Sequence, residues 1–289
     1  MNIQNKLFGL ATLAITLVVT PIVRGNTSQP LSKVSTEKKA SPDNKTNKAS
    51  SENKLSKTKK IGNTSTVKSA MPQSKKISVS STVVIYQDSE KGLDPYVTRY
   101  IINKEFMRID DGKPGTGFVL LDRKKDIIYS ISIENESILV IKNTSKKITR
   151  PAALVSKVVM LKQPKGLKLE GKPAQEFEVR VAGKVCQSSI TVKGALPDFV
   201  KALTQYRIIL ASQHASNLFK TPVNMRDNCF MAYHIFDHGL HTSRGLIVRS
   251  SNSKGKKSML QDYKKNQKTS PTLFSLPQKY SKFNAGQVP

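Results

Sequence analysis

The chain has 289 residues, with 48 Lys and Arg against 20 Asp and Glu, for a formal net charge of +28. Such a field favours anionic partners, yet no aromatic-basic motif of a known nucleic-acid module is present, so nucleic acid is not the expected partner.

Residues 6–25 come first: Lys6, the uncharged run Leu7–Val23 (LFGLATLAITLVVTPIV), then Arg24 and Gly25. A basic start, an apolar middle and a small-residue end make the pattern of a secretory signal peptide. Val23 and Gly25 fit the cleavage site, so residues 1–25 are read as a signal and the mature chain as starting near Asn26. No Cys follows, which removes the lipid anchor of a bacterial lipoprotein. The alternative is an uncleaved anchor, since 17 uncharged residues lie at the short edge of a membrane span. Pro21 and the polar flank favour cleavage; the Lys-rich start of the mature part opposes translocation. The expectation is a periplasmic or secreted protein that keeps no transmembrane helix.

Residues 26–78 hold 12 Lys, 3 acids and isolated apolar residues such as Leu31, Val34, Leu55 and Ile61. They show neither helical nor strand periodicity and too little apolar surface to offset chain entropy, so this segment reads as a disordered linker. The linker and the two cations of the leader leave +17 of the charge on residues 79–289. That stretch is long enough for one domain with its own core.

Within 79–141, β-branched runs alternate with turn signals. Strands are predicted at 79–87, 96–102, 105–109, 118–122, 127–133 and 137–141. Loops of 2–5 residues between most of them describe an antiparallel meander. Alternation sets Ile127, Tyr129, Ile131 and Ile133 on one face, with Ile128, Ser130 and Ser132 on the other. Residues 142–173 read as loops around a short strand, 155–161. A hairpin over 175–192 turns at Ala182-Gly183. Leu196–Phe219 is the clearest helix: Pro197 suits its first turn, Asp198 its positive end. Phe199, Leu203, Tyr206 and Leu210 form its apolar stripe. A second helix is expected at Cys229–His238, capped by Asn228 and ended by Gly239. Strands return near 246–249, 259–264 and 272–283.

Cys186 and Cys229 are an even pair in a chain read as exported, and so are expected to form one disulfide. The four His lie between 214 and 241. His234 and His238, four apart, could share a Zn²⁺ with His241, as in a metallohydrolase. The Glu of H-E-x-x-H is missing, and Gly239 interrupts the helix before His241. No catalytic residue, metal site or cofactor is therefore assigned. Gly112–Gly117 (GKPGTG) fails as a phosphate loop, because no helix follows it. No G-x-S-x-G elbow is present, and Asp110-Asp111 lacks EF-hand spacing.

Tyr100–Asp110 (YIINKEFMRID), Phe118–Arg123 (FVLLDR), Ile128–Ser130 (IYS), His238-Gly239-Leu240 and the end Leu273–Tyr280 (LFSLPQKY) carry a resemblance. Together they resemble exported proteobacterial proteins of unknown function with a lipoprotein-carrier-like, or LolA-like, fold. The resemblance spans residues 79–285. It implies an α+β domain: a curved antiparallel sheet, an open half-barrel, covered by one long and one or two short helices. It further implies an apolar cavity on the inner face. Candidate liners from the meander are Tyr100, Ile102, Met107, Ile109, Val119, Leu121, Tyr129, Ile131, Leu139 and Ile141; alternatively these residues simply fill a core. The expected function is non-enzymatic binding or carriage of a lipid or lipid-anchored molecule, with anionic head groups drawn by the basic surface. The alternative is an envelope interaction protein that holds acidic cell-envelope polymer.

Overall fold

The computed structural model describes residues 77–144 and 148–286. The signal and nearly all of the linker lie outside the described residues. The chain runs β1 (Val79–Ser89), β2 (Tyr96–Ile102), β3 (Phe106–Asp110), β4 (Phe118–Asp122), β5 (Ile127–Ser132), β6 (Ser137–Lys142), β7 (Ser156–Met160), β8 (Lys168–Leu169), β9 (Lys172–Val181) and β10 (Lys184–Val192). Helix α1 (Pro197–Leu218) follows, then α2 (Asn228–Met231), which runs into a π-turn at Ala232–Phe236. Strands β11 (Leu246–Asn252), β12 (Lys257–Thr269) and β13 (Ser281–Asn284) close the chain.

Twelve strands form one open sheet in the order β13-β6-β5-β4-β3-β2-β1-β12-β11-β10-β9-β7, with β8 beside β9. Every pairing is antiparallel except β13 with β6, which is parallel. This is the expected α+β class, a large unclosed sheet with one long helix. The meander and the β9–β10 hairpin lie on either side of β1, β12 and β11. The hairpin turns where expected: Ala182 and Gly183 have φ of +49° and +80°. That left-handed pair suits the right-handed twist of the flanking strands.

Both faces of the meander are apolar, and each has its own cover. On one face Ile102, Met107, Leu121, Ile128 and Ile141 pack against Phe199, Ala202 and Ile209 of α1. On the other, Ile101, Phe118, Leu120, Ile131 and Ile138 pack under Phe274, with Leu273, Leu276 and Tyr280 beside it. The segment Ser270–Tyr280 is thus a strap, not the strand expected over 272–283. Its first half is a short 3-10 turn, and pairing resumes only at Ser281. Ser270 starts the strap by accepting a hydrogen bond from the Thr272 N–H.

Arg108 pins the strap. Its Nη1 donates to the Leu273 carbonyl at 2.9 Å, and its Nε donates to Asp110 Oδ2 at 2.6 Å. Its guanidinium lies 3.6 Å above the Phe118 ring. Asp110 also accepts from Arg99, at 2.8 and 3.0 Å. Burial opposes ionisation of this carboxyl, but hydrogen bonds from Arg99 and Arg108 outweigh it and hold its pKa below the usual range.

α1 starts one residue late, after Leu196 as its cap, with Pro197 in its first turn and Asp198 at its positive end as predicted, and stops one residue early at Leu218. The second helix differs. Its cap is Asp227, whose side chain accepts from the Phe230 N–H, and Asn228 is already helical. It widens into the π-turn and ends at Phe236, so His238 lies past it. Cys186 sits where the β9–β10 register skips a residue. It is joined to Cys229 as expected, with the Cα atoms 5.2 Å apart. The bond ties β10 to α2 beside Leu154, Val181, Ala215 and Ile235.

Replacing both cysteines by Ser should lower unfolding free energy by about 4 kcal/mol, the loop-entropy value for a closed loop of this size. Urea melts of the oxidised wild type and the double variant measure it. Phe274→Ala should cost about 3–5 kcal/mol by opening a cavity under the strap. A change below about 1 kcal/mol in the same melts would mean that the strap does not cover the sheet in solution.

Candidate functional site

The stripe read on α1 extends further than predicted. Phe199, Leu203, Tyr206, Arg207, Leu210 and His214 recur at helical spacing and look onto a hollow of about 240 Å³. The opposite wall comes from the centre of the sheet: Tyr86 and Asp88 of β1, Tyr100 of β2, Gln187 of β10, Ser250 and Asn252 of β11, and Ser258 of β12. Tyr233, His234 and His238 close one end, and Lys256 lies at the rim beside β12. The hollow thus lies between one face of α1 and strands β1, β2, β10, β11 and β12.

Its floor is aromatic. The Tyr86 and Tyr100 rings meet edge to face at 5.8 Å, and Phe199 lies 5.2 Å from Tyr100. Tyr86 OH donates to the Ile247 carbonyl at 2.6 Å. Burial pushes Tyr86 and Tyr100 well above the ordinary phenol value, so both stay neutral donors. At the rim, Lys256 Nζ donates to Glu90 Oε1 at 2.8 Å and to Tyr96 OH at 3.2 Å. Burial lowers the Lys256 pKa, but the hydrogen bond to Glu90 and the charges of its neighbours outweigh it and raise the pKa.

Two polar atoms in the lining lack a partner among the described residues. Asp88 is 4% exposed. Its Oδ2 accepts from Thr98 Oγ1 at 2.5 Å, while Oδ1 is buried with no hydrogen bond. Arg207 Nη2 donates to Tyr233 OH at 2.7 Å, while Nη1 is buried and unbonded.

The histidines form an aromatic cluster rather than a metal set. His214 lies 5.5 Å from His234 and 5.2 Å from Phe230, and His234 lies 4.6 Å from Phe230. His241 is buried between Tyr233 and Phe177, and His238 Nδ1 meets the Ile235 carbonyl at 2.9 Å. Among the described residues no three His, Cys, Asp or Glu are placed to share a metal ion. Of the three histidines weighed as a zinc set, His234 has His214 as its histidine neighbour, from α1. Burial pushes the His214 imidazolium down to about 4. His234 falls to about 3, by burial and then by the charge of its neighbours.

Of the ten meander residues proposed as cavity liners, only Tyr100 reaches the hollow. Ile102, Met107, Ile109, Val119, Leu121, Leu139 and Ile141 fill the core between sheet and α1. Tyr129 and Ile131 lie on the opposite face, under the strap. The β4–β5 register decides this: Val119 stands opposite Ser130 and Leu121 opposite Ile128, so the face with fewer large residues turns to the helix. Asp88, Arg207, His214 and Lys256 were missed. Arg207 was visible as a cation beside the apolar stripe, and Asp88 as an acid in phase with Val84 and Tyr86. A wider groove of about 770 Å³ lies elsewhere, lined by Lys104, Arg123, Lys124 and Lys201, with Glu105 and Asp126.

No protein-family model and no curated protein matches the chain. Among solved structures, an uncharacterised conserved protein from Thermus thermophilus overlaps 71% of this chain and 90% of its own, at 9% identity and a TM-score of 0.37. PNGF-II overlaps 72% of this chain at 11% identity and a TM-score of 0.35; the overlap spans only 32% of PNGF-II. A LolA superfamily protein from Nitrosomonas europaea is a weak neighbour, with 10% identity and a TM-score of 0.24 over 70% of this chain and 91% of its own. Likenesses this loose carry no inference about activity.

The histidine pKa values set a pH dependence. Both lie below the ordinary imidazole value of 6.5. Below that value the unfolded chain takes up protons that the native histidines refuse, so stability is full above pH 6.5 and falls as pH drops toward 4. His214 alone should account for about 2–3 kcal/mol between pH 7.5 and 4.5. Urea melts of wild type and His214→Phe at both pH values isolate the effect, since the variant should lose correspondingly less stability on acidification. Equal losses would refute it.

Proposed function

We propose that the protein is an exported, non-enzymatic binding protein of the cell envelope that holds an amphiphile in the hollow under α1. Export rests on the Lys6–Gly25 pattern. Binding rests on the hollow, which joins an aromatic floor to a few convergent polar groups, the usual make-up of a small-molecule site. Its volume of about 240 Å³ is below the roughly 300–1,000 Å³ that encloses a drug-sized ligand. The hollow therefore suits the polar end of an amphiphile and a short apolar stretch, with the remaining chain outside. Among the described residues no helix is long and apolar enough to cross a membrane.

The groove between Lys104 and Lys201 supports a second reading, an acidic envelope polymer bound along a basic surface. That binding would weaken steeply with salt, because exposed charges are screened beyond about 10 Å at 0.1 M.

Leu210→Trp should fill the hollow and weaken binding of a fluorescent fatty-acid probe at least about tenfold, while a thermal melt shows the fold intact. The groove variant Lys124→Glu should leave probe binding unchanged. If wild type binds no amphiphilic probe at low salt, or if Lys124→Glu alone abolishes binding, the hollow is not the site.

A further inference from the structure

The polar atoms around the hollow are not all bonded among the described residues. Lys256 is neutralised by Glu90 at 2.8 Å. Tyr86 OH spends its proton on the Ile247 carbonyl. One carboxylate oxygen, Asp88 Oδ1, and one guanidinium nitrogen, Arg207 Nη1, remain buried and unbonded among the described residues. Both side chains line the same hollow. The floor of that hollow is the aromatic group of Tyr86, Tyr100 and Phe199.

A buried, half-bonded carboxylate is costly unless a donor meets it, and a buried guanidinium N–H likewise needs an acceptor. Asp88 is held in place. It sits in a central strand, register-paired with Tyr96, and Thr98 fixes its other oxygen. Arg207 is steadied by Tyr233. A purely anionic head group would satisfy Arg207 and oppose Asp88.

We infer that the hollow selects a zwitterionic head group, with an N–H-bearing ammonium on Asp88 Oδ1 and an anionic oxygen on Arg207 Nη1. This deepens the amphiphile reading and rests on it. It also departs from the anionic head groups that net charge alone suggests: the surface is basic, but with Lys256 on Glu90 the lining is left with one guanidinium and one carboxylate. The ligand chemistry can come from an aminophospholipid head group or from a free zwitterion such as phosphoethanolamine.

Titration calorimetry of the full chain tests it with four probes: lauroyl lysophosphatidylethanolamine, lauroyl lysophosphatidylcholine, laurate and free phosphoethanolamine. The two lysolipids share a tail and a phosphate, but the choline head has no N–H to donate. The ethanolamine lipid should bind at least about tenfold tighter than the choline lipid, the worth of one charge-assisted hydrogen bond. Asp88→Asn keeps an acceptor for Thr98 and should bring the two lysolipids to equal affinity. Arg207→Met, at a half-buried site, should weaken both lysolipids together.

Equal binding of the two lysolipids by wild type overturns the inference but leaves the amphiphile reading standing. So does a preference that survives Asp88→Asn. Binding of free phosphoethanolamine as tight as that of its lysolipid supports the head-group inference and removes the amphiphile. Failure of all four probes removes both.

Discussion

The guanidinium of Arg108 is the point on which the meander depends. It holds the buried Asp110, lies on Phe118 and reaches the backbone of the strap at Leu273. Strands β2 to β6 are apolar on both faces, so a single helix cannot cover them. A second cover is required, and a short irregular segment has little regular hydrogen bonding to fix it. A charged fork that bonds a carboxylate and a carbonyl together supplies the fixed geometry. The strap then lays Phe274 over the core, and the chain can return to the sheet at β13, beside β6.

With the strap on one face, α1 is free to serve two neighbourhoods on the other. Ala202 and Ile209 pack closely on the meander side. The adjacent face of the same helix, with Arg207 and His214, looks across to β1, β11 and β12. The Cys186–Cys229 bond fixes α2 and its π-turn at the far end, which sets Tyr233 and His234 against the helix.

Much of this was legible in the sequence, though unevenly. Strand starts, the long helix, the hairpin turn at Ala182-Gly183 and the disulfide followed from local chemistry: alternation, proline, left-handed turn residues and an even cysteine pair. Alternation also grouped Tyr129, Ile131 and Ile133 correctly on one face. It could not say which cover that face meets, because both faces are rich in Ile, Leu and Val. Ser130, on the smaller and mixed row, stands with Val119 and Leu139 across the strands on the helix side. Leu273–Tyr280 reads as a strand by composition, but Pro277 and the pull of Arg108 make it a strap. The hollow was not legible as a place, since its walls come from positions 86 to 258 and only the fold joins them.

The position of β1 has a consequence for how the domain is made. It is the first strand of the domain, and it lies inside the sheet between β2 and β12. One partner is its neighbour along the chain; the other is nearly the last strand, and the Ser81–Thr269 hydrogen bond joins residues 188 positions apart. A chain that emerges N-terminus first must therefore hold β1 with one edge unsatisfied until almost the whole domain has appeared. Contacts of such sequence separation close slowly, and an open apolar edge is the usual seed of aggregation. Closure of the second edge of β1 therefore waits for β12. This closing strand acts as a seam, and a chain cut short of Thr269 would leave the middle of its own sheet exposed.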